Sequence, residues 1–221
     1  MTFEGPEGSG KSTHARRLYE RLHAGGYSTI LTKEPGGTKI GELIRRLLLD
    51  FQYGEMEPAT EVLLFAAARA QHVAELIRPY LASGGIVVCD RFADSTYAYQ
   101  GYGLGRDLHE LQAITRIATG GLQPDLTIFL DLPVTDGLAR KRLVNRPGAV
   151  LLEQNPAAAR SSEVEWNRLD ARELAFHERV RDGYHALMAA EPRRWLAYDG
   201  RLDRDTLSTM IWEAIEPQLM N

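Results

Sequence analysis

"EGPEGSGKST", Glu4–Thr13, decides the fold of this chain. Gly5, Gly10, Lys11 and Ser12 satisfy the spacing G-x-x-x-x-G-K-[ST]. Glycines let backbone N–H groups turn inward around an anion without Cβ clashes. A helix that follows points its positive end at the same spot. In such a loop Lys11 bridges the outer phosphates, and the Ser12 hydroxyl ligates Mg²⁺. A chance match has a frequency of roughly 0.3% over a chain of this composition, so a glycine turn that binds nothing is a poor account of it. Gly5 to Thr13, with Pro6, Glu7, Gly8 and Ser9 between, are therefore the candidate cradle for a nucleotide's phosphates.

The flanks agree with the loop. "MTFE" before it reads as a strand stub, and the stretch 11–25 reads as a helix stopped by a Gly pair. Further on, "YSTILT" (27–32), "GIVVCD" (85–90), "LTIFLDL" (126–132) and, more weakly, "RRWLAYD" (193–199) are short apolar runs rich in β-branched residues. Such runs suit a parallel sheet covered on both faces. Between them lie helical patterns at 38–49, 59–82, 107–119, 134–144, 170–190 and 203–218, the last with Asp203 as its N-cap. This alternation implies right-handed βαβ units in a doubly wound α/β domain.

Composition narrows the function. The 221 residues suit a single domain, 1–221. The formal net charge of −4 argues against a general nucleic-acid binder, which would show a basic face. Lysine is scarce, at positions 11, 33, 39 and 141, while arginine is abundant. Cys89 is the only cysteine, which excludes an intrachain disulfide and suits the cytosol. It sits in an apolar run, as a small core residue would. No run approaches the roughly 18 apolar residues of a membrane span, and no signal peptide is apparent.

A phosphate loop specifies a nucleotide, not a reaction. The N-K-x-D and D-x-x-G motifs of GTPases are absent, as is an L-S-G-G-Q-like transporter signature. Many arginines and an irregular late segment point to phosphoryl transfer between small molecules. Two polyphosphates must be brought together there, and Arg holds phosphoryl oxygens in bidentate geometry.

Three more stretches matter together: "TKEPGGT" (Thr32–Thr38), "LLFAAARAQH" (Leu63–His72) and "DRFADSTYAYQG" (Asp90–Gly101). Singly, each has an ordinary reading: a turn, a core aromatic with a solvated charge one turn later, a carboxylate ending a strand. In order with "FEGPEGSGKST" and "PDLTIFLDLP", they resemble thymidylate kinase of the bacterial type. The resemblance covers nearly the whole chain and fits least well over 145–165. It implies the nucleoside monophosphate kinase fold, transfer of the γ-phosphoryl of ATP to dTMP, Mg²⁺, and a homodimer built on helices such as 59–82, whose apolar surface also suits a core helix.

The resemblance also implies roles. Phe65 stacks on thymine, and Arg69, four residues on and so on the same helical face, donates to a thymine carbonyl. Thr96 and Gln100 complete the reading of the base edge, with Pro35 lining the site. Tyr99 crowds the sugar's 2′ position. Arg91, helped by Arg45, grips the acceptor's phosphate. Asp90 holds Mg²⁺ through water or orients Arg91. Glu7 accepts from the sugar's 3′-hydroxyl; without the resemblance, a solvent-facing side chain is its alternative. Lys33 stands where an Arg is common and keeps the charge without the fork.

Gly8 stands where some family members carry a basic residue, and the bacterial type supplies that charge from a lid. The segment of about 145–169 reads either as a disordered loop or as that lid. Arg140 then sits against the donor's adenine, and Arg168 in "WNRLD" is a lid arginine. Arg146 is the first candidate for the transferring charge, with Arg142 and Arg160 left open. The competing functions are another deoxynucleotide or deoxynucleoside kinase of this fold, and an inactive nucleotide-binding regulator.

Overall fold

The computed structural model describes residues 1–144 and 166–219. Five parallel strands stand in the order β2-β3-β1-β4-β5. They are β1 (Thr2–Glu4), β2 (Thr29–Lys33), β3 (Ile86–Asp90), β4 (Thr127–Asp131) and β5 (Trp195–Asp199). The stub expected at "MTFE" is real and central. Only three residues long, β1 pairs with β3 through Thr2 and Phe3, and with β4 through all three residues. All three are buried, so the ladders on both sides and the core on both faces hold a strand this short.

The helices are α1 (Lys11–Ala24), α2 (Lys39–Leu49), α3 (Pro58–His72), α4 (Arg78–Ala82), α5 (Ala93–Thr96), α6 (Leu108–Thr119), α7 (Val134–Val144), α8 (Leu174–Ala190) and α9 (Arg204–Leu219). The Asp203 cap of α9 is present: its carboxylate accepts from the N–H groups of Asp205 and Thr206. α3 runs into α4 through a π-helical turn, Val73–Ile77. Pro79 cannot donate to the carbonyl four residues back, and its ring crowds that carbonyl; a wider turn relieves both.

Residues 93–103 differ from the sequence expectation, which places no helix there. α5 continues as a π-helix over Tyr97–Gly103. Its extra residue per turn aims Tyr99 and Gln100, as π segments at functional sites commonly do.

The core lies on both faces of the sheet. On one, Phe3, Ile128 and Leu130 pack with Leu18 and Leu22 of α1 and Ile211 and Ile215 of α9. On the other, Phe129 packs with Tyr99 and with Phe176, Val180 and Tyr184 of α8. Cys89 is buried in a third cluster with Phe92 and Ile77. The carboxyl ends of β1, β3 and β4 open on one side, where doubly wound sheets place their ligands.

Candidate active site

A cavity of about 1060 Å³ spans these strand ends. Its lining includes Glu7 to Thr13 at one end and Phe65, Arg69, Thr96 and Gln100 at the other. Arg45, Tyr99, Arg91 and Asp90 lie along it, as do Pro35, Lys33 and Arg140. Most of the residues singled out from the sequence therefore share one space. Arg146 and the span 145–165, with Arg160, lie outside the described residues.

At the loop end, Gly5, Gly8 and Gly10 all have positive φ, at 147°, 69° and 94°. Gly8 has a further reason. A Cβ there would come 2.1 Å from the Gly137 carbonyl oxygen on α7. The converse also holds, since a Cβ on Gly137 would come 2.0 Å from the Glu7 carbonyl oxygen. The loop rests directly on α7, and no side chain of any charge fits at position 8 in this arrangement.

Lys11 is buried. Its Nζ donates to the carbonyl oxygens of Gly5 (3.1 Å) and Pro6 (2.8 Å). Burial lowers its pKa to about 8, with the Arg91 charge adding to the effect. The Ser12 hydroxyl donates to Asp90 Oδ2. A hydroxyl and a carboxylate side by side below a phosphate loop fit a hard cation that takes oxygen ligands and keeps several waters.

Arg91 is the junction of the two ends. It is the one non-glycine residue with φ in the left-handed region, 69°, among the described residues. That backbone is uncommon for a bulky residue and persists where its surroundings over-determine it. Here they do. Its N–H donates to the Phe3 carbonyl at 2.9 Å. Nη2 donates to Glu7 Oε1 (2.8 Å) and the Tyr99 hydroxyl (3.0 Å). Nη1 donates to the Ser95 and Tyr184 hydroxyls, each at 3.1 Å. Both hydroxyls in turn donate to Glu4 Oε2, at 2.6 and 2.8 Å. Glu4 is fully buried, and burial with the nearby Asp94 raises its pKa to about 7.

Glu7 behaves oppositely. Burial alone would raise its pKa, but Arg91, Lys141 and Lys11 together hold it well below the usual carboxylate range. Its Oε1 accepts from Arg91 and from the Tyr99 hydroxyl (2.7 Å), and its Oε2 lies 3.4 Å from Lys141 Nζ. Lys141 also donates to Asp170 Oδ1 at 2.7 Å. Asp170 titrates near 6, raised by burial and by Glu7 against the pull of Lys141. The sequence reading passes over Lys141, Asp170, Ser95, Tyr184 and Glu4. Glu4, Ser95 and Asp170 stand inside quoted stretches, at the loop, in "DRFADSTYAYQG" and in "WNRLD", and were available to it; Lys141 and Tyr184 have no local signature.

At the far end, Arg69 is held on three sides. Nε donates to Glu34 Oε2 (2.7 Å), Nη1 to Thr96 Oγ1 (3.0 Å) and Nη2 to the Phe92 carbonyl (3.1 Å). Two of its five N–H groups remain for a ligand. His72 buttresses Glu34 from behind, with Nδ1 3.1 Å from Oε1 and Nε2 2.7 Å from Thr32 Oγ1. Glu34–Pro35 is a cis peptide, and the Pro35 carbonyl accepts from Arg45 Nη1 at 2.9 Å. Arg140 donates to the Gly200 carbonyl (2.8 Å) at the outer edge of the loop end. Arg168 is not brought to the phosphate end. Its Nη2 donates to Glu61 Oε2 (2.6 Å) and its Nε to the Leu48 carbonyl (3.0 Å).

The sheet order, the loop and the two-ended cavity define a P-loop phosphotransferase with the nucleoside monophosphate kinase fold. The family model described as thymidylate kinase matches residues 3–211. The thymidylate kinase of Roseiflexus castenholzii is 61% identical over 99% of this chain and 93% of that protein. That of Herpetosiphon aurantiacus is 58% identical over 99% and 95%. Among solved structures, thymidylate kinase from Ehrlichia chaffeensis superposes with a TM-score of 0.72 at 29% identity, covering 97% of this chain and 96% of that one. The chain belongs to the thymidylate kinase family.

Proposed function

We propose that the protein transfers the γ-phosphoryl group of ATP to dTMP, giving dTDP, with Mg²⁺. The observation that carries this reading is Arg91, whose guanidinium touches the loop's Gly5 carbonyl (3.3 Å) and Glu7 while standing in the same cavity as the Phe65–Arg69 pocket. A cation there suits an acceptor that already bears a phosphate. The attacking oxygen is anionic, so no general base is required, and catalysis is positioning plus charge neutralisation.

In this reading Lys11 leaves its two carbonyls for the donor's outer phosphates, and loop N–H groups hold the rest. Ser12 and Asp90 hold Mg²⁺, which neutralises charge on the donor phosphates. Arg140 lies against adenine. Phe65 stacks on thymine, and Arg69, Thr96 and Gln100 read its edge. Tyr99 excludes a 2′-hydroxyl, Glu7 accepts from the 3′-hydroxyl, and Arg91 with Arg45 grips the acceptor phosphate. Arg168 steadies the acceptor end through Glu61; a part at the transferring phosphoryl, which Arg146 takes here, requires Arg168 to leave that carboxylate.

The exposed apolar residues Leu43, Leu63 and Ile117, on the neighbouring helices α2, α3 and α6, support a homodimer. Leu63→Arg should halve the mass measured by light scattering. No described helix is long and apolar enough to cross a membrane; with the single cysteine, we read the enzyme as cytoplasmic, one domain over 1–221. ADP production with ATP, Mg²⁺ and dTMP, dUMP, dGMP, UMP or thymidine tests the function. The highest kcat/KM is expected for dTMP, and equal or better turnover of thymidine or dGMP would overturn the reading.

A further inference from the structure

Glu61 is fully buried on α3 and does not line the cavity. It is nevertheless one bond away from it. Its Oε2 accepts from two guanidiniums, Arg168 Nη2 at 2.6 Å and Arg172 Nη2 at 2.7 Å. Its Oε1 accepts from Gln100 Nε2 at 3.0 Å. Gln100 is itself buried and does line the cavity. A primary amide can be turned about by 180° at little cost in shape, so its neighbours decide which end faces a ligand. A carboxylate accepts only. It therefore takes the Nε2 end of Gln100 and leaves the Oε1 end, which makes no hydrogen bond among the described residues, as the group offered to the pocket.

We infer that Glu61 is a positioning residue for base specificity: it fixes the polarity of Gln100 so that the pocket presents an acceptor at the base edge. An acceptor suits a pyrimidine with an N3–H donor, as in thymine and uracil. It rejects cytosine, whose N3 is itself an acceptor, because two lone pairs would face each other without a proton. The methyl group of thymine is not read by this device. The inference rests on the reading that this pocket takes the thymine of dTMP.

Glu61→Gln gives a sharp expectation, because the two arginines choose how the new amide lies. They require an oxygen at the Oε2 position, which places the amide nitrogen of residue 61 against Gln100. Gln100 must then turn its oxygen to residue 61 and its NH₂ to the pocket. The readout is the ratio of kcat/KM for dTMP to that for dCMP, with ATP and Mg²⁺ saturating. The wild-type ratio should be about 10³ or more, and Glu61→Gln should lower it by about 30-fold or more, through loss on dTMP and gain on dCMP. Arg69 still opposes the exocyclic amine of cytosine, so the preference narrows without full reversal. A purely structural role would lower both values together and leave the ratio unmoved, which would overturn the inference.

Should Glu61→Gln fail to fold, Glu61→Met combined with Arg168→Met and Arg172→Met replaces the buried ion cluster by apolar groups. Gln100 is then free to turn, and the ratio should still fall by about 10-fold; an unchanged ratio there overturns the inference as well. Wild-type enzyme that does not turn over dTMP at all would instead sink the dTMP reading. Turnover of dTMP with an unmoved ratio in the variants leaves that reading standing and removes only the role of Glu61.

Discussion

The two ends of the cavity are built from different materials. The loop end, which in the proposed reading takes the donor, is backbone and glycine: Gly5, Gly8 and Gly10 shape it, α1 points its N-terminus into it, and Lys11 reaches back only five or six residues to its carbonyls. The far end, which in that reading takes the acceptor, is side chains: Glu34, Arg69, Arg91, Thr96, Tyr99 and Gln100 come from three stretches of chain. Three of them, Arg91, Arg69 and Gln100, are held by a buried carboxylate that touches no ligand in the proposed reading. Glu4 anchors Arg91 through Ser95 and Tyr184, Glu34 anchors Arg69, and Glu61 anchors Gln100. A phosphate is alike in every nucleotide, so backbone dipoles serve to bind it. A base must be told from other bases, and that needs side chains whose donors and acceptors are fixed in direction.

The contrast can be broken by substitution. Lys11→Ala should remove about 10³-fold or more of kcat, because its charge acts on the transferring phosphoryl group. The far-ultraviolet circular dichroism should not change. If only the KM for ATP rose, the donor end would be mere binding surface. Gly8→Arg comes next. It forces a side chain into the left-handed region and against α7, and should cost about 2–4 kcal/mol of stability in urea unfolding. A variant as stable as the wild type would show that the loop does not need its seat on Gly137.

The acceptor end should respond more selectively. Phe65→Ala should weaken dTMP binding by about 10- to 100-fold in calorimetry, from lost stacking and burial, with ATP affinity unchanged. Unchanged dTMP affinity would displace the base from this pocket. The smallest effect concerns Glu4. Its carboxyl titrates near 7 when folded, against an ordinary 4.5, so the native chain holds an extra proton between those values. Stability from this group is present below pH 4.5 and is lost as pH rises to 7. From pH 5 to 7.5 the wild type should lose about 1–2 kcal/mol relative to Glu4→Gln, measured by denaturant unfolding at each pH. Parallel curves would mean that Arg91, through its two hydroxyls, keeps Glu4 charged across that range.

Legibility followed the same division. Gly5, Gly10, Lys11 and Ser12 carry their meaning in spacing, because a loop around an anion is a local object. The strands at 27–32, 85–90 and 126–132 were equally readable, since strands buried on both faces leave unbroken apolar runs; observed, they end within two residues of those limits. The helix over 93–103 was not readable. "ADSTYAYQGYG" lacks a 3.6-residue apolar period because its π-helical half has a different one. Lys141 was passed over for a related reason: one lysine in a helix of charged residues shows nothing of the Glu7 and Asp170 carboxylates that flank it in space.

By itself the sequence determined that this chain winds strands and helices alternately, carries a phosphate-loop motif after its first strand, and holds a set of motifs resembling the thymidylate kinases. Those properties reside in periodicity and short-range order. The tertiary structure alone decided which charges meet. It placed Arg168 on Glu61, 107 residues away, Lys141 beside Glu7 across 134, and Tyr184 on Glu4 across 180. It also gave the reason for Gly8, which is less an absent charge than a carbonyl of α7 lying where a Cβ would go. Pairings of that kind depend on how the elements close over the sheet, and the spacing of residues along a chain does not record them.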